Sequence, residues 1–297
     1  MEKKSQIDLF GVVALSGFAL LLAFNQVVIK VTNGGLQPVF FAGLRSVGAT
    51  FCVLLWLWWR GIPIRFQSGT WKFGLVAGFV FSFEFLCLFI ALDLTTVGRT
   101  GVIFYTMPVW LAVMAHFLTG DDRITLWKAA GLALAVLGVA FAMLARDSGE
   151  AALLGDLAAL GAALGWAAVA LLAKASPLRR EVPEIQLLWQ VLISGPVLLA
   201  VSLFFGDLIR DLQPIHLWGL AFQIVVVVTA GFIFWLWLLS IYPASGVASF
   251  SFLSPVLAVI LGWLLLGEEI EPSLIVALML VVAGLVLINR VPKVRTG

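Results

Sequence analysis

One carboxylate in this chain stands where carboxylates are costly. Glu84 lies inside Phe81-Ser-Phe-Glu-Phe85, within a long apolar run, and an ionisable side chain at the centre of a bilayer costs about 2.5–3.5 kcal/mol on insertion scales. A residue kept at that cost faces a cavity or a partner. Two readings are open: a cavity-facing carboxylate that binds a substrate ammonium group or takes up a proton, and a protonated or paired structural residue. Arg45 sits about eight residues into the preceding apolar run, too deep for easy snorkelling from its outer end. It can attract a substrate carboxylate or pair with an acid. Pairing is favoured, because a guanidinium cannot neutralise itself. Asn25 and Gln26 are adjacent amides in another apolar run. Side chains one residue apart on a helix diverge by about 100°, so at most one of the two looks straight into a cavity.

The elements that must position these groups are membrane helices. Of 297 residues, 62% are hydrophobic and 11% charged, against roughly a quarter charged in a soluble domain. Crossing the hydrocarbon core takes about 20 apolar residues. Ten stretches qualify, approximately 7–29, 37–59, 71–92, 97–119, 125–145, 153–174, 184–205, 215–239, 244–266 and 272–289. They are separated by breakers such as Asn33-Gly34-Gly35, Gly61-Ile62-Pro63, Gly120-Asp121-Asp122, Ser176-Pro177 and Tyr242-Pro243. The short alternating segments of a membrane barrel are absent. The expected fold is an all-α integral membrane protein of ten transmembrane helices.

The chain repeats itself. Shifted by 147 positions, Met107-Pro108 falls on Ser254-Pro255 and Gly120-Asp121-Asp122 on Gly267-Glu268-Glu269. Under a shift of 144, the run Leu22 to Lys30 lies over Trp166 to Lys174. Two five-helix repeats are expected, 1–148 and 149–297, forming one transmembrane domain, and five spans per repeat make the second inverted. Such repeats place a substrate site near the midplane and permit alternating access. Pro108 and Pro255, at matched depths, are expected to kink their spans and to act as hinges. With the N-terminus inside, basic residues concentrate on the inner side, among them Lys3, Lys4, Arg60, Arg65, Lys72, Arg123, Lys128, Lys174 and the Arg290–Arg295 tail. The outer side holds Lys30, Arg99, Arg146 and Arg210. Cytoplasmic loops carry the excess of lysine and arginine, so both termini are expected in the cytoplasm.

Asn25 with Lys30, Trp166 with Lys174, and a proline followed by glycine and acids near the ends of spans four and nine give the chain a resemblance to the EamA-type drug/metabolite transporter superfamily. Within it, the chain is most similar to exporters of the YddG amino-acid type. The resemblance implies ten helices, a central cavity lined mainly by spans 1, 3, 4, 6, 8 and 9, and export of small metabolites from the cytoplasmic membrane. On that pattern Asn25, Glu84, Tyr105, Trp166, Trp235 and Ser251 are the candidate cavity residues. The aromatic members either form a π-rich pocket or pack against lipid and neighbours. Gly74-x-x-x-Gly78 and Gly161-x-x-x-Gly165 allow close helix approach in spans 3 and 6.

Other functions fare worse. The net charge of +2 offers nothing to nucleic acid. Cys52 and Cys87 lack metal or disulfide spacing. His116 and His216 are far apart, neither H-E-x-x-H nor G-x-S-x-G occurs, and no phosphate-binding loop is present. Neither enzyme chemistry nor a cofactor nor a metal is expected. The expected partners are a small-molecule substrate, an amino acid or related metabolite, and the lipid bilayer; the sequence leaves the oligomeric state open, with a monomer plausible. A facilitative channel or structural membrane protein is the alternative reading.

Overall fold

A computed structural model of the protein describes residues 7–65, 67, 69–118, 125–144, 153–242 and 250–288. Gly120-Asp121-Asp122, Pro243, Ser68, Ser148 and the basic residues Lys3, Lys4, Arg123, Arg146, Arg290, Lys293 and Arg295 lie outside the described residues. So does the side chain of Ser251.

Lipid offers no partner for a bare backbone amide, so apolar runs must close their hydrogen bonds internally as helices. The helices are α1 (Leu9–Asn33), α2 (Pro38–Trp59), α3 (Trp71–Leu94), α4 (Val97–Phe104), α5 (Met107–Leu118), α6 (Leu126–Leu144), α7 (Leu153–Ala175), α8 (Pro183–Ser202), α9 (Pro214–Phe222), α10 (Phe232–Ile241), α11 (Leu253–Leu266) and α12 (Pro272–Ile288). Among the described residues the sole extended pairing is an isolated bridge between Leu36 and Ile209. Among the described residues eight helices are long and apolar enough to cross a membrane, counting α4–α5 as one and α9 with the residues that follow it as another. α11 and α12 are shorter, at 14 and 17 residues. Phe51, Leu126, Trp58 and Trp218 are among many large apolar side chains left exposed, which suits a lipid-facing surface rather than an aqueous one.

Ends are specified locally. Asp8 caps α1, its Oδ1 accepting from Gly11 N at 2.9 Å. Gln37 caps α2 ahead of Pro38, accepting from Phe40 N at 2.7 Å. Proline at a helix start gives up an amide that had no partner there anyway. His216 Nδ1 accepts from Gln213 N at 2.9 Å, which makes this histidine part of the α9 cap.

Packing follows the small residues. α6 lies along α12, and a Cβ added to Gly131 would stand 2.7 Å from the Gly284 carbonyl oxygen. α3 packs on both α7 and α8, α2 on α8, and α1 and α4 on α11. With no hydrophobic drive between helices in lipid, backbone approach at glycine supplies the contact area.

Two spans are interrupted. The fourth breaks at Tyr105-Thr106, between α4 and α5, and Thr106 Oγ1 donates to Ile103 O at 2.6 Å while accepting from Trp110 Nε1 at 3.1 Å. Pro108 therefore sits in the first turn of α5, and Pro255 likewise sits in the first turn of α11, after the short 3₁₀ turn Phe250–Phe252. In span four the break precedes the proline, whose ring would otherwise meet the preceding turn. The eighth span contains a π-helical stretch, Gln223–Gly231, with Thr229 Oγ1 donating to Ile224 O at 2.8 Å. Six consecutive β-branched residues, Ile224 to Thr229, crowd this stretch; such side chains lose χ1 freedom against a tight helical turn.

Candidate substrate site

Arg45 on α2 and Glu84 on α3 are both 2% exposed. They attract one another across the helix interface. Neither is satisfied by hydrogen bonds: Glu84 Oε2 and Arg45 Nε and Nη2 are buried without a partner. What holds the guanidinium is aromatic. Its Cζ lies 3.7 Å from the centre of the Phe85 ring and 5.3 Å from that of Phe89, a cation–π arrangement that uses the guanidinium face and leaves the N–H edge free. Phe81, Phe85 and Phe89 form a ladder along α3, with centroids 4.5 and 6.1 Å apart, and Phe41 joins it at 4.9 Å from Phe89.

α7 closes one flank. Gly165 faces Glu84 so tightly that an added Cβ would lie 2.9 Å from Glu84 Cβ and 3.0 Å from its Cα; Gly161 faces Cys87 in the same way. The next residue, Trp166, is half-buried and packs on the same core cluster as Tyr105, Phe89 and Met107. Tyr105 is buried at the break in span four, with its phenol beside Ser254, the residue before Pro255. The two proline turns thus meet through a phenol and a hydroxyl.

The candidate residues do not all converge. Glu84, Tyr105 and Trp166 belong to the contiguous interior of α3, α4 and α7. Asn25 is buried on α1, where its side-chain oxygen accepts from Gln223 Nε2 at the start of the π stretch. Trp235 belongs to a separate cluster with Leu15 and Tyr242 and stacks on Phe18 at 5.0 Å. Gln26, set aside beside Asn25 in the sequence, is 1% exposed with both side-chain atoms unpartnered, close to Gly101.

Several polar groups escaped sequence reasoning. Arg99, on α4, forms a buried ion pair with Asp156 on α7: Nη2 to Oδ2 at 2.6 Å and Nε to Oδ1 at 3.3 Å, the two side chains 3% and 0% exposed. Arg99 Nη2 also donates to Ala142 O at 2.5 Å, and Nη1 stands 4.0 Å from Glu271. Asp156 lies only three residues inside the expected sixth span, near enough to its end that a charge there ordinarily reaches water, so its burial carried no local signal. Glu268 is a second case. Its carboxylate accepts from Val97 N at 2.7 Å and Gly98 N at 3.0 Å, so the acid of one glycine–acid turn caps the N-terminus of α4, where helix dipole and free amides favour an anion.

These contacts gather at one end of the bundle. Lys30 Nζ donates to the Thr95 carbonyl at 2.6 Å, closing the C-terminal end of α3. Arg210 grips Asp93 with two bonds of 2.7 and 2.9 Å and reaches Asn33 O at 3.0 Å. Donating to the Asp93 carboxylate pushes the Arg210 guanidinium above its usual range. Gln37 Nε2 donates to Ser202 O at 2.7 Å. The end carrying Lys30, Arg99 and Arg210 is thus tied across several helices; the opposite end has ties of its own, Glu181 Oε1 accepting from Gln67 N at 2.7 Å and from Thr70 Oγ1 at 2.6 Å, and Tyr242 donating to Asp8 Oδ1 at 2.6 Å.

Known proteins give this arrangement a context. A "Probable amino-acid metabolite efflux pump" of Escherichia coli (strain K12) is 26% identical over 284 residues, covering 93% of each chain. The "Uncharacterized transporter YoaV" of Bacillus subtilis (strain 168) is 25% identical over 93% of this chain and 94% of its own. A protein of known crystal structure shares the fold, with a TM-score of 0.66 over 92% of this chain and 95% of that one, at 18% identity. The description "EamA-like transporter family" fits twice, to residues 9–144 and 153–290. With nearly its whole length matched, its apolar helices and its buried charges, the chain is a multi-pass membrane transporter, not an enzyme, and belongs to the EamA-like transporter family.

Proposed function

We propose that the protein is a secondary transporter that exports small metabolites, amino acids including aromatic ones, across the cytoplasmic membrane by alternating access. In this reading ten transmembrane helices form two inverted five-helix repeats, 1–148 and 149–297, with both termini in the cytoplasm. The substrate cavity lies at the midplane between them, with Glu84, Tyr105 and Trp166 at its centre and Asn25, Trp235 and Ser251 on the spans around it, and Pro108 and Pro255 are its hinges. Glu84 binds the substrate ammonium group or takes up a proton.

The observation that carries the reading is a tie between the repeats next to a broken helix. Glu268, from the second repeat, holds the α4 N-terminus of the first, and α4 ends at the break where Tyr105 meets Ser254. A latch between repeats at one end and a broken helix beneath it are what rocking one repeat against the other requires. The relative described as an amino-acid metabolite efflux pump supports the substrate class.

Counterflow in proteoliposomes tests this. Vesicles preloaded with an unlabelled amino acid are expected to accumulate the labelled form transiently, with saturation. A channel gives equilibration without the transient. If no member of a panel of amino acids and related metabolites gives saturable counterflow, the exporter reading fails.

A further inference from the structure

Arg45 and Glu84 are an unusual pair to leave unfinished. An internal salt bridge inside a bilayer repays desolvation when hydrogen bonds use up the donors and acceptors on both sides. Here two guanidinium nitrogens and one carboxylate oxygen are buried with none, in a structure where Arg99 and Asp156 are joined at 2.6 Å. The sequence is therefore able to join a buried pair by two direct hydrogen bonds, with Arg99 Nη1 alone left without one, and at Arg45 it has not. The guanidinium is fixed instead by the faces of Phe85 and Phe89. That contact consumes none of its five N–H donors and directs them outward in the plane of the group. On the other side, Gly165 brings the α7 backbone against Glu84 Cα, so the carboxylate is held by the position of its own helix rather than by a partner.

We propose that Arg45 and Glu84 are the two poles of a zwitterion clamp, Arg45 taking the carboxylate and Glu84 the ammonium group of an α-amino acid whose side chain lies against Phe85, Tyr105 and Trp166. This rests on the exporter reading and specifies its site. Each unpartnered atom then gains the partner it lacks: a planar carboxylate suits the N–H edge of a guanidinium, and an ammonium group supplies donors to Glu84 Oε2. The charges also balance. With both groups ionised, the empty clamp carries no net charge, and loading adds a zwitterion of zero net charge. Neither state leaves an uncompensated charge in the membrane, the costliest condition for a buried ionic group.

The test is selectivity in the purified full-length protein, read by ligand-dependent thermal stabilisation and by equilibrium binding. The probes are L-phenylalanine, its decarboxylated analogue 2-phenylethylamine and its deaminated analogue 3-phenylpropanoate. The wild-type protein is expected to bind L-phenylalanine about tenfold or more tightly than either analogue, the discrimination a hydrogen bond to a charged group provides. In R45Q the advantage over 2-phenylethylamine collapses while that over 3-phenylpropanoate is kept. In E84Q the pattern is the reverse. A purely structural pair predicts no such crossed loss. Equal weakening of all three probes in both variants overturns the clamp, and so does wild-type protein that binds either analogue as well as L-phenylalanine, a comparison that stands even where a variant fails to fold. Saturable amino-acid counterflow together with absence of the selectivity pattern overturns the clamp alone and leaves the exporter reading in place; absence of counterflow removes that reading.

Discussion

Replacing Asp156 by alanine strands a buried cation, and the cost can be worked out from its surroundings. Arg99 is 3% exposed and Asp156 fully buried, with two contacts between them. Removing one member of a buried pair typically costs about 3–5 kcal/mol, because the survivor keeps its desolvation penalty. Arg99 would retain the Ala142 carbonyl at 2.5 Å and a weak attraction to Glu271, 4.0 Å away and 36% exposed. Those contacts place Asp156→Ala at the lower end, about 3 kcal/mol. At roughly 2–4 °C per kcal/mol for a chain of this size, the apparent Tm should fall by about 6–12 °C. Heating detergent-purified protein and following its monodisperse gel-filtration peak measures this directly. The double replacement Arg99→Met with Asp156→Leu removes both charges and fills the space, and should recover most of the loss. A single variant that loses less than about 2 °C, or a double variant worse than Asp156→Ala, would refute the claim that the pair is a dry, mutually dependent ion pair.

Three further outcomes follow from the geometry. Glu268→Ala removes an anionic cap from the α4 N-terminus, worth about 0.5–2 kcal/mol, and should shift the open population of that end roughly two- to thirtyfold. The reporter is a cysteine at buried Ala258, in a background lacking Cys52 and Cys87, labelled from outside by an impermeant maleimide; an unchanged labelling rate counts against a latch. Gly165→Ala should destabilise the fold by about 1–3 kcal/mol, since the new methyl meets the backbone-anchored Cα and Cβ of Glu84 at 3.0 and 2.9 Å. Gly161→Ala meets the Cys87 sulfur at 3.1 Å and should cost less, so the opposite order in thermal melting is inconsistent with this packing. Finally, cysteines introduced at Ser68 and Ser148 should label from the inner and outer faces respectively; reversed accessibility overturns the orientation.

The helices were legible because each is an apolar run bounded by proline, glycine or a capping residue, and such runs in lipid have few alternatives to a helix. Glu84 and Arg45 were legible by the same physics, as charges stranded in those runs. The ion pair of Arg99 and Asp156 was not, because each stands near the end of a span, where a charge ordinarily reaches water and asks for no partner. Glu268 looked like a helix stop and is also a cap for an amide 170 positions earlier in the chain; no local pattern carries that information. The π-helical stretch was hidden for a different reason, since Ile224-Val225-Val226-Val227-Val228-Thr229 is as apolar as any membrane helix and only the crowding of its branched side chains sets it apart. Trp235 was placed by its depth alone, and depth does not say which side of a helix an indole occupies; it stacks on Phe18 instead of joining Glu84.

The internal repeat explains both successes and misses, because the apolar framework and the charges at its span ends repeat, whereas Arg45, Glu84, Arg99 and Asp156 do not. Under the same two shifts Arg45 falls on Trp189, Glu84 on Gly231, Arg99 on Gly246 and Asp156 on Val12. None of the four buried charges has a charged counterpart, so no comparison of one half with the other could reveal them. The consequence reaches the transport cycle. If the halves were equivalent, inward- and outward-open states would be related by symmetry and equally populated. Here the end bearing Arg99 combines Glu268 on two backbone amides with a buried ion pair beside it, while at the matched positions of the sequence the acid is Asp121, one methylene shorter, and a glycine stands in place of Arg99. In the alternating-access cycle proposed above, these unmatched charges make the two end states unequal in energy.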